Sequence, residues 1–312
     1  MKKKFIEETE PQFVAVDDFA RELKLDKLCV KNVEKIKLCT VSVNRPGLLL
    51  AGYEDYFGDN RVQVMGSAEL QYLKTMNDSK MKKVLTRFFA REIPCLIICR
   101  DIKPPEILLE LAVEYNRAVF ASDHITSNLI NELSIYLNDL LAPTTSIHGV
   151  LLDVYGVGVL LSGASGIGKS ETALELVKRG HRLVADDMVI IKNVKNHIFG
   201  TSPDIIRFFM EIRGIGIIDV KNMYGVGSVL YEKEVELVLE LENWDADKQY
   251  ERLGKEQQFL EMLDVNVPKI TVPVRPGRNL AIIAEVAARN YRLRTSGYNA
   301  AAEIDRRLTE GE

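Results

Sequence analysis

The sequence predicts an α/β protein of two domains, an N-terminal three-layer α/β domain over residues 1–141 and a C-terminal domain over residues 142–312 built around a phosphate loop. Three observations lead there. The chain has 312 residues, too many for one ordinary domain and enough for two of about 150 each. Its balance of 46% hydrophobic to 28% charged residues is that of a globular protein, not of a disordered or fibrous one. Short apolar runs alternate with helix-like stretches on both sides of Ala142-Pro143-Thr144-Thr145, a polar, helix-breaking segment near the centre of the chain.

In the first half, Ile93-Pro94-Cys95-Leu96-Ile97-Ile98-Cys99 reads as a buried strand. Pro104 then opens an amphipathic helix carrying Ile107, Leu108, Leu111 and Ala112. Ala118-Val119-Phe120-Ala121 is the next strand, and a helix over 122–141 follows, with Ser122 or Asp123 as its N-cap. Strand, helix, strand, helix implies a parallel sheet with helices on its faces.

The second half opens with apolar runs at 149–155 and 157–162, and Gly156 and Gly158 at their junction suggest a hairpin or a sharp bend. A glycine loop comes next, then a helix over 169–179 that Gly180 stops. Strand-like runs continue at 183–191, 216–220, 235–241 and 269–274. Two helices close the chain. The helix over 279–293 places Ile282, Ile283, Val286 and Ala287 on one face, and after Gly297 the trio Ala300, Ile304 and Leu308 repeats every four residues. Both are expected to be packing elements.

Gly163-Ala164-Ser165-Gly166-Ile167-Gly168-Lys169-Ser170 matches G-x-x-x-x-G-K-[ST] at every fixed position, with an apolar strand entering and a helix-forming run leaving. Glycines let the backbone turn its N–H groups inward around a phosphate, and the helix N-terminus adds its positive dipole end. Lys169 is then placed to reach the β- and γ-phosphates and the Ser170 hydroxyl to ligate Mg²⁺. This is a nucleotide site.

Phosphoryl transfer also needs carboxylates. The nearest are Asp186-Asp187, at the start of the next apolar run. Neighbours on a strand point to opposite faces, so only one faces the phosphates unless the backbone bends. Taken alone, the pair also suits a solvated strand end. Glu211-Ile212-Arg213-Gly214-Ile215-Gly216 sets a carboxylate and a guanidinium two apart before two glycines, which fits either a metal-and-phosphate contact or an exposed ion pair before a bend. Arg275-Pro276-Gly277-Arg278 is a stiff turn that can grip a phosphate with two guanidiniums or remain a solvated basic turn. Without further context, Arg252 reads as a surface arginine and His148 as a structural histidine just before the strand that leads to the glycine loop.

Charge and cysteines narrow the class. With 41 basic and 45 acidic residues the formal charge is −4, a poor balance for general binding of nucleic acid or an anionic membrane. Cys29, Cys39, Cys95 and Cys99 lack CxxC spacing and read as buried free thiols of a reducing compartment. The start, Met1-Lys2-Lys3-Lys4-Phe5-Ile6-Glu7-Glu8, has no apolar core behind its charge, and no apolar run approaches the ~18 residues that cross a bilayer, so a cytoplasmic location is expected.

Taken together, His148-Gly149, the loop at 163–170, Asp186-Asp187, Met210-Glu211-Ile212-Arg213-Gly214-Ile215-Gly216-Ile217-Ile218-Asp219 and Pro273-Val274-Arg275-Pro276-Gly277-Arg278 closely resemble the bacterial HPr kinase/phosphorylase family. The last two segments are the specific ones. The resemblance implies a C-terminal P-loop kinase domain similar to the nucleotide-binding fold of phosphoenolpyruvate carboxykinase. It implies a bifunctional enzyme that phosphorylates a regulatory serine of the phosphocarrier HPr from ATP or pyrophosphate. The same enzyme removes the group with inorganic phosphate, giving pyrophosphate, and so regulates sugar uptake and carbon catabolite repression. By the same resemblance Asp187 is the proton acceptor and donor, and His148, Lys169 and Arg252 are active-site residues. Ser170 and Glu211 are Mg²⁺ ligands, Arg213 contacts phosphate, and Arg275 and Arg278 serve phosphorolysis. A homohexamer assembled through the C-terminal domain is also implied. The alternatives are a P-loop small-molecule kinase and a regulatory module that binds ATP without transferring it.

Overall fold

The computed structural model describes residues 13–29, 36–248, 250 and 257–310. The chain forms two compact units with the boundary between Ala142 and Pro143. The first runs β1 (Val14–Ala15), α1 (Val16–Glu22), β2 (Asp26–Cys29), β3 (Lys37–Leu38), β4 (Val43–Asn44) and α2 (Gly47–Leu50). It continues with β5 (Val62–Met65), α3 (Ser67–Lys74), α4 (Asp78–Phe89), β6 (Cys95–Cys99), α5 (Glu106–Glu114), β7 (Ala118–Ser122) and α6 (Thr126–Leu140). The main sheet has the order β2-β7-β6-β5-β4, with β4 to β7 parallel and β2 antiparallel at the edge.

Alternation along the strands makes the three layers. In β6, Leu96 and Ile98 join the core shared with α3, α4 and α5, whereas Cys95, Ile97 and Cys99 join the one shared with α1 and α6. Some expectations need correction. The long helix begins at Thr126 behind Ile125, not at Ser122, because Ser122 extends β7 and its carbonyl accepts from the Asp101 N–H. The helix expected from Pro104 begins at Glu106. All four cysteines are thiols, but Cys39 is exposed and Cys29 half-buried; burial pushes the Cys95 thiol up to about 12.

The second unit runs β8 (Thr144–His148), β9 (Val150–Val154), β10 (Val157–Gly163), α7 (Lys169–Lys178), β11 (Arg182–Ala185), β12 (Met188–Val194) and β13 (His197–Thr201). Then come β14 (Phe209–Ile212), β15 (Gly216–Asp219), α8 (Val220–Tyr224), β16 (Glu232–Glu234) and β17 (Leu237–Asn243). It closes with β18 (Gln258–Met262), β19 (Val265–Val274), α9 (Leu280–Thr295) and α10 (Ala300–Glu310). A six-stranded sheet, β11-β9-β10-β17-β19-β18, faces a four-stranded one, β16-β13-β12-β8, and β14 pairs with β15 as a separate hairpin. Val150, Leu152, Val159 and Leu161 pack toward α7 and α9, while the intervening Leu151 and Leu160 pack toward Ile147, Val189 and Ile191 of the second sheet. Because β10, β17 and β19 are parallel, their carboxyl ends share one edge.

Here too the structure departs from expectation. The run at 183–191 breaks at Asp186-Asp187 into β11 and β12, which belong to different sheets. Helix α9 buries Ala281, Ala284, Ala287 and Ala288, whose small side chains fit against the packed sheet, and leaves Ile282 and Val286 48% and 60% exposed. In α10, Ile304 and Leu308 are also exposed, so this helix does not bury its apolar stripe within the chain. Among the described residues no helix is long and apolar enough to cross a membrane.

Candidate active site

The edge where β10 ends is shaped by glycine. Gly163 has φ 140° and a Cβ there would collide with the Leu241 carbonyl; Gly168, at φ 101°, is the residue from which α7 starts. No side chain hydrogen bond caps α7, so its first N–H groups face the loop. Lys169 is almost fully buried, and its Nζ donates to the carbonyls of Gly163 (3.0 Å) and Ala164 (3.1 Å). Burial lowers the pKa of this ammonium, against the opposing pull of Asp187 and Asp186.

The acidic pair lies at the bend between the two sheets. Asp187 adopts a left-handed φ of 66°, and the Met188 N–H donates to the Asp186 carbonyl at 2.8 Å. The backbone thus bends, and both carboxylates line the pocket beside the phosphate loop. Their surroundings differ. Asp186 is 4% exposed and accepts from the Ser170 hydroxyl at 2.9 Å and from the Glu211 N–H at 3.3 Å. Burial raises its pKa, and those hydrogen bonds offset the rise only in part. The Asp187 side chain is 72% exposed, with Oδ1 3.0 Å from His148 Nδ1. Backbone pairing fixes this contact, since the Gly149 N–H donates to the Asp187 carbonyl at 3.0 Å and His148 pairs with Met188 across β8 and β12.

Hairpin β14–β15 supplies the remaining wall. Glu211 lines the pocket, and the Arg213 Nη2 donates to Ser165 Oγ at 3.3 Å. Gly166 takes a left-handed φ of 78°, which favours glycine, beneath the Arg213 guanidinium. The pocket therefore gathers His148, Lys169, Ser170, Asp187, Glu211 and Arg213 from segments far apart in sequence. Arg275 and Arg278 do not line it. Arg278 Nη1 donates back to the Pro273 carbonyl at 2.8 Å, and the Arg275 guanidinium lies over the Trp244 ring, 3.1 Å from its centroid. Arg252 lies outside the described residues.

Two contacts were not foreseen from sequence. The Ser170–Asp186 hydrogen bond needed the bend at 187 to be known. Trp244 had one signal available, as the only tryptophan of the chain placed just beyond a predicted strand. The hydroxyl of Ser170 and the carboxylates of Asp186 and Glu211 are hard oxygen donors. Among the described residues no cluster of three or more His, Cys, Asp or Glu forms a metal cage. That donor set fits a divalent cation carried mainly by phosphate oxygens and water.

Comparison with known proteins identifies the family. Residues 14–137 match the family model described as HPr Serine kinase N terminus, and residues 139–308 match that of the HPr Serine kinase C-terminal domain. The HPr kinase/phosphorylase of Caldanaerobacter subterraneus subsp. tengcongensis is 50% identical over 296 residues, covering 95% of this chain and 97% of its own. That of Clostridium acetobutylicum is 48% identical over 291 residues, covering 93% and 94%. The solved Hpr(Ser) kinase/phosphatase from Coxiella burnetii is 36% identical, with a TM-score of 0.47, over 51% of this chain and 97% of its own. With both family models matched in succession along its length, the chain belongs to the HPr serine kinase family.

Proposed function

We propose that this chain phosphorylates a serine of HPr from ATP or pyrophosphate and removes the phosphoryl group again with inorganic phosphate. The observation that carries this reading is the division between the two aspartates: Asp186 is buried beneath Ser170, and Asp187 is exposed and paired with His148. One carboxylate is committed to the loop and the other is free to meet a hydroxyl.

In the forward direction Asp187 accepts the proton of the attacking serine hydroxyl. A bond forms between serine oxygen and the terminal phosphorus, the bond to the bridging oxygen breaks, and the shortened donor leaves with that electron pair. Lys169 and the N–H groups at the start of α7 take up negative charge on the transferring group. His148 Nδ1 holds Asp187 toward the reaction centre. In reverse a phosphate oxygen attacks the phosphoserine phosphorus to form pyrophosphate. The bond to the serine oxygen breaks with its electron pair left on that oxygen, and Asp187 returns the proton to it. Arg213, on the pocket wall, would grip the attacking phosphate. Arg275 and Arg278, from the turn after β19 outside the pocket, would serve phosphorolysis, and Arg252 would be a further active-site residue. Ser170, Asp186 and Glu211 would hold Mg²⁺, which neutralises charge on the donor phosphates. The proposal extends to a cytoplasmic homohexamer that regulates sugar uptake and carbon catabolite repression.

Incubation with labelled ATP, Mg²⁺ and purified HPr tests the forward half. Label is expected on an HPr serine, and Asp187→Asn should abolish transfer while ATP still binds. Label on a metabolite would favour a small-molecule kinase, and slow hydrolysis without an acceptor would favour a binding module. Orthophosphate added to serine-phosphorylated HPr should release pyrophosphate; none would remove the reverse half.

A further inference from the structure

We propose that Asn279 and Glu175 form a strut that holds the turn after β19 in register with the phosphate loop, which makes Asn279 a positioning residue for phosphorolysis. This reading rests on the proposed reverse reaction, which Arg275 and Arg278 of that turn would serve.

The turn is closed on itself. The Arg278 N–H donates to the Arg275 carbonyl at 3.2 Å, and Arg278 Nη1 reaches the Pro273 carbonyl at 2.8 Å. Gly277 supplies the left-handed φ of 81° that the bend requires. A closed turn moves as a unit, so its two ends decide where its guanidiniums stand. The sheet sets the entering end: Val274 pairs with Asn243 of β17, and Gly163 of the loop pairs with Leu241 of the same strand. Asn279 sets the leaving end.

The Asn279 side chain makes two contacts. Its Oδ1 accepts from the Ile282 N–H at 3.0 Å and caps α9, while its Nδ2 donates to Glu175 Oε1 of α7 at 3.1 Å. A cap needs only the oxygen, so the amide donor is surplus to capping and is directed at the neighbouring helix. That helix is the one that starts from the phosphate loop. At ~1.5 Å per residue, Glu175 stands about 9 Å along α7 from Lys169. The same carboxylate accepts from Arg179 Nη2 at 2.6 Å, and Arg179 Nη1 donates to Glu285 of α9 at 3.1 Å, so the link passes back and forth between the two helices. The hydrogen bonds from Asn279 and Arg179 hold the Glu175 carboxyl below its usual range, which keeps it an acceptor at neutral pH. Leu280, the next residue, touches the loop itself: its Cδ1 lies 4.0 Å from a Cβ built on Gly168.

Asn279→Asp keeps the capping oxygen, removes the donor and sets one carboxylate against another. Adding Glu175→Gln exchanges the two groups, because the new amide can donate to the new carboxylate. Pyrophosphate release from serine-phosphorylated HPr is measured against orthophosphate concentration with the full chain, beside ATP-dependent labelling of HPr. Asn279→Asp is expected to lower kcat/KM for orthophosphate about tenfold, with the forward kcat within about twofold of wild type, which also shows that it folds. The double variant should recover phosphorolysis. Equal loss in both directions would overturn the strut and leave Asn279 with a general structural role. No recovery in the double variant would overturn it too. A wild-type chain that releases no pyrophosphate would remove the reverse reaction and the strut together, whereas release undiminished by Asn279→Asp would remove the strut alone.

Discussion

Each unit brings a parallel strand to the N-terminus of a helix, yet the chain completes the two ends in opposite ways. At α3 the helix is preceded by Gly66, whose N–H donates to the Glu69 carboxylate at 2.9 Å. Arg45 grips the same buried carboxylate through Nε and Nη2, each at 2.9 Å. That helix carries its own anion. At α7 the helix is also preceded by a glycine, but no side chain caps it and a buried lysine follows instead. The dipole is common to both ends; the charge placed beside it is not. Both helices carry a carboxylate at their third position, Glu69 and Glu171, but only Glu69 turns back onto the N-terminus. A helix end takes up an external phosphate where its own carboxylate leaves the N–H groups uncapped and a cation is added.

Removing that cation is the most damaging change expected. Lys169→Ala should lower ATP-dependent phosphorylation of HPr by about three orders of magnitude, measured as label on serine, with the thermal midpoint unmoved or raised because a desolvated ammonium is lost. Retained activity would put α7 on the same footing as α3. At the other end, Glu69→Ala should cost the first unit about 2 kcal/mol in denaturant unfolding and leave ATP affinity intact. A loss of ATP affinity there would blur the contrast. Burial alone would raise the pKa of Glu69, but Arg45 and the Gly66 N–H outweigh it and hold the carboxyl below its usual range. Its contribution is therefore present above the ordinary carboxylate range and lost as pH falls through the lowered value. The stability gap between wild type and Glu69→Gln should narrow in acid.

Much of this was legible before the structure. The phosphate loop reads directly because its backbone demands specific glycines, and the strands at 95–99 and 118–122 read because full burial leaves unbroken apolar runs. What stayed hidden depended on contacts between distant segments. Spacing cannot show that Asp187 takes a left-handed φ, and without that bend the neighbouring aspartates belong on opposite faces. Nor does periodicity show that α9 packs through four alanines, since a larger residue weighs more in any hydrophobic pattern even where only a small one fits. Arg275 illustrates a third kind of gap, because its partner Trp244 sits on a different strand.

The smallest expected effect sharpens the same contrast, through a buried carboxylate whose pKa moves the other way. Asp186 is raised by burial, so in the ligand-free protein its ionised form is disfavoured, and wild-type stability is lost as pH rises through that raised value. Asp186→Asn removes the charge and keeps the contacts: the amide NH₂ meets the Ser170 hydroxyl, which turns to accept, and the amide oxygen meets the Glu211 N–H. The variant should be more stable than wild type by about 1 kcal/mol at neutral pH, with the gain closing in acid, while phosphorylation of HPr falls. The pH slope of this gain is opposite in sign to that of Glu69→Gln. If thermal midpoints across pH showed Asp186 stabilising the ligand-free protein as Glu69 does, the carboxylate beneath the phosphate loop would be a structural cap, and the difference between the two helix ends would rest on Lys169 alone.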